Sequence, residues 1–136
     1  MKKIFMVLLG VGLFLASFQV MATPSCSKNM IRSTYAMVYS GASSVCWYFG
    51  GTGIVKFKGS SGEVTVNGTE SCDGVSSSFT GTGTYTVKSN CTGIATVNFN
   101  TGGSGTYAFT IAENGNSIVF MVTTAGVTGT GFAKKL

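Results

Sequence analysis

The stretch Phe79-Thr-Gly-Thr-Gly-Thr-Tyr-Thr-Val-Lys88 alternates with a strict period of two. Phe79, Gly81, Gly83, Tyr85 and Val87 share one side, and Thr80, Thr82, Thr84, Thr86 and Lys88 share the other. Successive side chains of a β-strand point to opposite faces, so this is a strand with one buried and one wetted face. Thr, Val, Phe and Tyr suit such a pleated, half-buried surface. The alternation recurs downstream. Ala95, Val97 and Phe99 share a face in 94–100, Tyr107, Phe109 and Ile111 in 105–112, and Ile118, Phe120 and Val122 in 117–124. No window carries a convincing helical period.

Working outward, segments 33–40, 53–58, 63–69 and 127–134 bring the strand count to eight. Turn signals separate them: Ser60-Ser61-Gly62, Asn90-Cys91-Thr92-Gly93, Thr101-Gly102-Gly103-Ser104, Asn114-Gly115-Asn116 and Ala125-Gly126. The Asn-Gly pair is a strong hairpin signal. Every linker is too short for a crossover helix, so neighbours are expected to be antiparallel. Two longer loops, 41–52 and 70–78, interrupt the pattern. The expected fold is all-β: an eight-stranded antiparallel up-and-down barrel, with an open sandwich as the alternative. Closure removes both sheet edges, which suits a weakly charged, Thr-rich chain. Gly81, Gly83, Gly129 and Gly131 fall on apolar faces, where they let a strand coil tightly or give bulky neighbours room.

The N-terminal segment reads as an address. Lys2 and Lys3 precede an apolar run from Ile4 to Phe18, and Val20-Met21-Ala22 supplies small or apolar residues for signal peptidase. This is the pattern of a bacterial secretory signal peptide over 1–22, leaving one domain over 23–136. The run is shorter than the roughly 20 residues a membrane helix needs, so no stable span is expected after cleavage. Cleavage lowers the formal net charge from +5 to +3 and leaves all four cysteines. The expected location is secreted, periplasmic or extracellular.

An even cysteine count in an oxidising compartment reads as two disulfides. A zinc site is disfavoured, because there is no C-x-x-C pair and no His. Counting strands from the first entry point places Cys26 and Cys91 at one end of the barrel, the bottom. Cys46 and Cys72 fall in the two long loops at the top. Only the pairing Cys26–Cys91 and Cys46–Cys72 avoids spanning the barrel's length, which a disulfide cannot do. Loop-closure entropy gives each bridge on the order of 3–4 kcal/mol.

The 136 residues include nine Lys and Arg, four Asp and Glu, and no His, with charged residues at 10%. Histidine-based catalysis is excluded. Nine largely isolated cations make no basic stripe, so no nucleic-acid partner is expected. The acids are Glu63, Glu70, Asp73 and Glu113. Glu70 and Asp73 lie together in the second long loop, where they could do acid/base work or help hold a cation. The plainer reading is solvated turn carboxylates, and Asp73-Gly74 is a turn signal first. No catalytic residue, cofactor or metal is expected.

The aromatic residues carry the ligand-binding expectation. Trp47, Tyr48 and Phe49 follow Cys46 in the first long loop. They could close a lid over an apolar ligand, contact a surface partner, or plug the barrel end as core, and the plug is the preferred reading. Tyr39, Phe57, Tyr85, Phe99, Tyr107, Phe109 and Phe120 are expected to point inward. An eight-stranded barrel is about the size that side chains fill or that holds one small ligand. A filled interior is the default; a cavity is the functional hypothesis.

Several motifs resemble a bacterial secreted β-barrel family. They are Gly83-Thr-Tyr-Thr-Val87, Asn90-Cys-Thr-Gly93 with Ala95-Thr96, and the ending from Ile118 through Thr124-Ala125-Gly126 to Gly131-Phe-Ala-Lys-Lys135. Thr34-Tyr35 and Gly53-Ile-Val-Lys-Phe57 fit its early strands. The family is similar to the allene-oxide-cyclase-like barrels, within the lipocalin-like (calycin) class. The resemblance implies the barrel fold over most of 23–136. It also implies a bridge from before the first strand to the Asn-Cys-Thr-Gly turn, agreeing with Cys26–Cys91; Cys46–Cys72 reads as an addition. Its motifs are turn and core residues, so no cyclase activity is carried over.

Two other classes compete with a soluble barrel. An outer-membrane barrel alternates with its apolar face outward, but most strands here are shorter than the roughly 9–11 residues a membrane strand needs. A fibre subunit would suit the Gly, Ser, Thr and Asn content, but no internal repeat is evident. The expectation is a secreted, non-enzymatic barrel that binds a small apolar ligand or an extracellular surface partner at the 41–52/70–78 end. The alternatives are a cyclase- or isomerase-like enzyme on the same barrel and an outer-membrane or structural surface protein.

Overall fold

A computed structural model of the chain describes residue 23 and residues 25–136; the expected signal peptide lies outside the described residues. Eight strands run in chain order: β1 (Thr34–Ser43), β2 (Phe49–Lys58), β3 (Glu63–Cys72), β4 (Val75–Val87), β5 (Thr92–Phe99), β6 (Ser104–Ala112), β7 (Ser117–Val122) and β8 (Val127–Lys135). Each pairs antiparallel with the next, and β8 returns to β1, closing the barrel. The eight-stranded antiparallel architecture is therefore as the alternation implied, and the sandwich is excluded.

The two long loops are shorter than expected. Residues 41–43 and 49–52 continue β1 and β2, and 70–72 and 75–78 continue β3 and β4. Several strand glycines sit opposite large aromatics in the ladder. Gly41 faces Phe49 and Gly51 faces Tyr39; Gly68 faces Phe79, Gly93 faces Phe109 and Gly131 faces Phe120. At each of these five positions a Cβ would collide with the facing ring. The glycine thus makes space for the ring, and its strand coils more tightly there. Between β3 and β4, Asp73 and Gly74 both adopt left-handed backbone angles, φ 48° and 91°. Cys72 pairs directly with Val75, so this is a two-residue hairpin turn. Conversely, Asn114-Gly115 is part of a wider connection, a 3-10 turn over Glu113–Gly115.

Both disulfides form as the strand count required: Cys26–Cys91 at the bottom and Cys46–Cys72 at the top. The bottom is plugged. A 3-10 turn, Lys28–Ile31, folds under the barrel and buries Ile31 completely. The Tyr35 hydroxyl donates to the Gly115 carbonyl at 2.6 Å. The Tyr85 hydroxyl is 3.2 Å from the Lys58 carbonyl and 3.4 Å from that of Lys28. Backbone hydrogen bonds tie Cys26 to Ser89 and Leu136 to Thr34. These bonds satisfy polar groups that would otherwise be buried at a cost.

Candidate functional site: the barrel cavity and its mouth

Above the plug the barrel is hollow. A cavity of about 600 Å³ opens among the loops 44–48, 100–103 and 123–126 at the top. Phe57, Phe109 and Ile118 belong to its deep wall; Tyr39, Phe49, Phe79, Phe99, Tyr107 and Phe120 surround the upper part. The filled interior expected by default holds only for the lower layers, around Tyr35, Ile31 and Tyr85. The reason is compositional. The upper inner face spends many positions on glycine, and the large rings pack back against those glycines rather than across the centre. Edge-on contacts hold the rings: Tyr39 against Phe79, Phe79 against Phe99, and Tyr107 against Phe120.

The seven aromatics expected inside all lie in the core or pack against it. Of the aromatics that carried the ligand-binding expectation, Tyr39, Phe49, Phe57, Phe99, Tyr107, Phe109 and Phe120 line the cavity. Tyr85 lies beneath it, in the plug. Trp47 and Tyr48 point to solvent, 89% and 65% exposed. The Trp47-Tyr48-Phe49 cluster therefore does not plug the barrel end; Phe49 alone turns in. The local cause is a clasp between two turns. The Asp73 carboxylate accepts the backbone N–H groups of Trp47 and Tyr48 at 3.3 and 3.1 Å, and the Asp73 N–H donates back to the Tyr48 carbonyl. With Cys46 bonded to Cys72, the loop is held against the β3–β4 turn.

Glu70 was expected to be a solvated loop carboxylate. It is instead on the inner face of β3, in line with Val64, Val66 and Gly68, and it lines the cavity. Among the described residues it is the only charged group on that wall. The Tyr39 hydroxyl donates to its Oε2 at 3.0 Å. Burial, followed by the charge of Glu70, raises the Tyr39 phenol far above its ordinary pKa. The same two causes push Tyr107 up to about 12. Both phenols are thus held neutral, and that of Tyr39 donates to the carboxylate. The signal in the sequence was the period-two run Val64, Val66, Gly68, Glu70, Cys72, which is visible only if β3 is carried through to Cys72. Asp73 is committed to the clasp. The sulfurs nearest it belong to the Cys46–Cys72 disulfide and are not thiolate ligands.

Charge is segregated along the barrel axis. All seven described cations lie toward the plugged end: Lys28, Arg32, Lys56, Lys58, Lys88, Lys134 and Lys135. Glu63 and Glu113 are there too, paired with Lys58 and Lys134. The open end carries Glu70 and Asp73 and no cation. The outer wall is mixed. Val38, Phe132 and Val119 form an exposed apolar row across β1, β8 and β7. Beyond Glu63 at the start of β3, the outer faces of β3 and β4 are Thr, Asn and Ser along their paired length. No described helix is long and apolar enough to cross a membrane.

Among solved structures, the fold is similar to a redesigned β-barrel, with a TM-score of 0.58 and 15% identity over 85% of this chain and 99% of that one. It is also similar to a de novo designed fluorescence-activating β-barrel, with a TM-score of 0.57 and 15% identity over 80% of this chain and 96% of that one. No family model and no curated protein matches the chain. At such identities the likeness defines the class, a small closed eight-stranded β-barrel, and nothing narrower.

Proposed function

We propose that this protein is a secreted, non-enzymatic carrier or sequestering protein of the lipocalin-like kind, which holds one small, largely apolar molecule inside its barrel. The observation that carries this reading is the cavity. Its volume of about 600 Å³ falls within the roughly 300–1,000 Å³ of small-molecule sites. Its wall is built from Val, Phe, Ile and Tyr side chains with few polar groups, the composition expected for an apolar guest. The two disulfides fit an oxidising compartment outside the cytoplasm. The resemblance of its turn and core motifs to bacterial calycin-type barrels agrees with this reading. A largely apolar wall with one carboxylate, which accepts from the Tyr39 hydroxyl, supports binding better than turnover.

Native mass spectrometry of the protein, purified from its own host without detergent, tests the reading. The expected result is the 23–136 chain, lighter by four hydrogens than its reduced form, with an added small-molecule mass that is lost on unfolding. A ligand-free monomer that also fails to take up 1-dodecanol would overturn it. Insolubility without detergent would instead favour a membrane barrel.

A further inference from the structure

We propose that the cavity selects an amphipathic amine: an apolar tail packed among the rings, and a protonated amino head seated at Glu70 beside Tyr39. This rests on the cavity reading above and adds the chemistry of the head group.

Three observations point to it. First, the wall places one carboxylate in an otherwise uncharged cavity, and among the described residues no cation faces it there. A carboxylate accepts at about four lone-pair positions, and the Tyr39 hydroxyl takes one of them. The remaining capacity suits a donor, and an ammonium brings three donors and the compensating charge. Second, Glu70 stands near the mouth, level with Tyr39 and Phe49, while the deeper wall of Val55, Phe57, Val97 and Ile118 is apolar. The site is therefore ordered, with a polar collar above an apolar floor. A chain entering tail-first leaves its head at the carboxylate. Third, the axial charge segregation gives the mouth a negative field, which draws cations in and turns anions away. A fatty acid would bring a second carboxylate beside Glu70 with no cation to meet it. A neutral alcohol would gain one hydrogen bond and no charge pairing.

The test uses three probes of equal tail length at neutral pH, below their micelle-forming concentrations: dodecylamine, 1-dodecanol and dodecanoate. Affinities are read by titration calorimetry on the wild-type protein. The expected order is amine, alcohol, acid. The amine should be favoured over the alcohol by about tenfold or more, the scale of one charge-assisted hydrogen bond. Added salt should narrow the gap. In Glu70→Gln the amine preference should disappear while 1-dodecanol still binds. In Tyr39→Phe, which keeps the carboxylate, the preference should persist. Equal wild-type affinity for all three probes, or a preference that survives in Glu70→Gln, would overturn the amine assignment and leave the cavity reading standing. Failure of every probe to bind would overturn both. The wild-type ranking decides the matter even if a variant does not fold.

Discussion

The two ends of this barrel use the same strand grammar for opposite purposes. At the bottom, the strand ends are covered by the Lys28–Ile31 turn, stitched by Cys26–Cys91, and closed by the Tyr35 and Tyr85 hydroxyls on backbone carbonyls. At the top, Cys46–Cys72 and Asp73 clasp one loop against one turn and leave the mouth open. Among the described residues, cations gather at the closed end, and the acids of the open one have no cation beside them. Stability is concentrated where the interior is filled. The cavity lies where glycines have left it empty. On the proposed carrier function this division along the axis has a physical reason, because a cavity forgoes the packing contacts that a filled layer makes.

The comparison breaks most directly at the disulfides. Replacing Cys26 and Cys91 together by Ser opens a closure of 65 residues. It should cost about 4 kcal/mol by loop entropy and also free the turn that carries Ile31. The matching Cys46/Cys72 double variant opens 26 residues and should cost less, about 3.5 kcal/mol. Urea denaturation of the two checks the order; a larger loss at the top would invert the account. Ile31→Ala, at a residue with no exposed surface, is expected to destabilise by about 3 kcal/mol. The same assay measures it, and a loss below about 1 kcal/mol would mean that the plug is dispensable. Gly131→Ala sets a methyl against the Phe120 ring and should cost about 1–3 kcal/mol by overpacking.

Alkali sharpens the comparison. Desolvation, with a smaller push from Tyr85, raises Tyr35 in the plug to about 12. Desolvation, with Glu70, raises Tyr107 on the cavity wall to about 12. A phenol whose folded pKa lies above its unfolded value favours the folded state fully below the unfolded pKa of about 10. That contribution is lost as the pH rises from about 10 toward 12. Stability followed by denaturation across this range should therefore be level up to about pH 10 and fall beyond it; a level profile to pH 12 would contradict the buried, neutral phenols. The smallest effect is expected at Trp47, the chain's single tryptophan. Trp47→Ala should change stability by no more than about 0.5 kcal/mol, and the wild-type indole emission should barely move on unfolding.

Much of this was legible in the sequence, for a physical reason. Alternation is a property of the backbone, so Phe79 to Val87 and the three strands after it announce their inner faces without reference to any partner. Strand counting then sorted four cysteines between two ends. The failures share one cause. Segment 41–52 read as a loop, because the roles of Gly41 and Gly51 as space for Phe49 and Tyr39 on the neighbouring strand are visible only in the ladder register. Ending β3 at residue 69 placed Glu70 in a loop, when carrying the period one step further puts it on the cavity wall. The fate of Trp47 was set by the Asp73 clasp, a contact between residues distant in sequence that no local pattern encodes.

The central claim is that a guest enters at the open end and lodges above the plug. Backbone amide chemical shifts recorded while 1-dodecanol is titrated into the isotopically labelled protein test it most directly. The account expects perturbations at Phe49, Gly105, Tyr107 and Val122 around the upper cavity, with Ile31 and Gly115 in the plug unchanged. Perturbations confined to the outer row of Val38, Val119 and Phe132 would contradict it, because they would place the apolar recognition surface on the outside of the barrel.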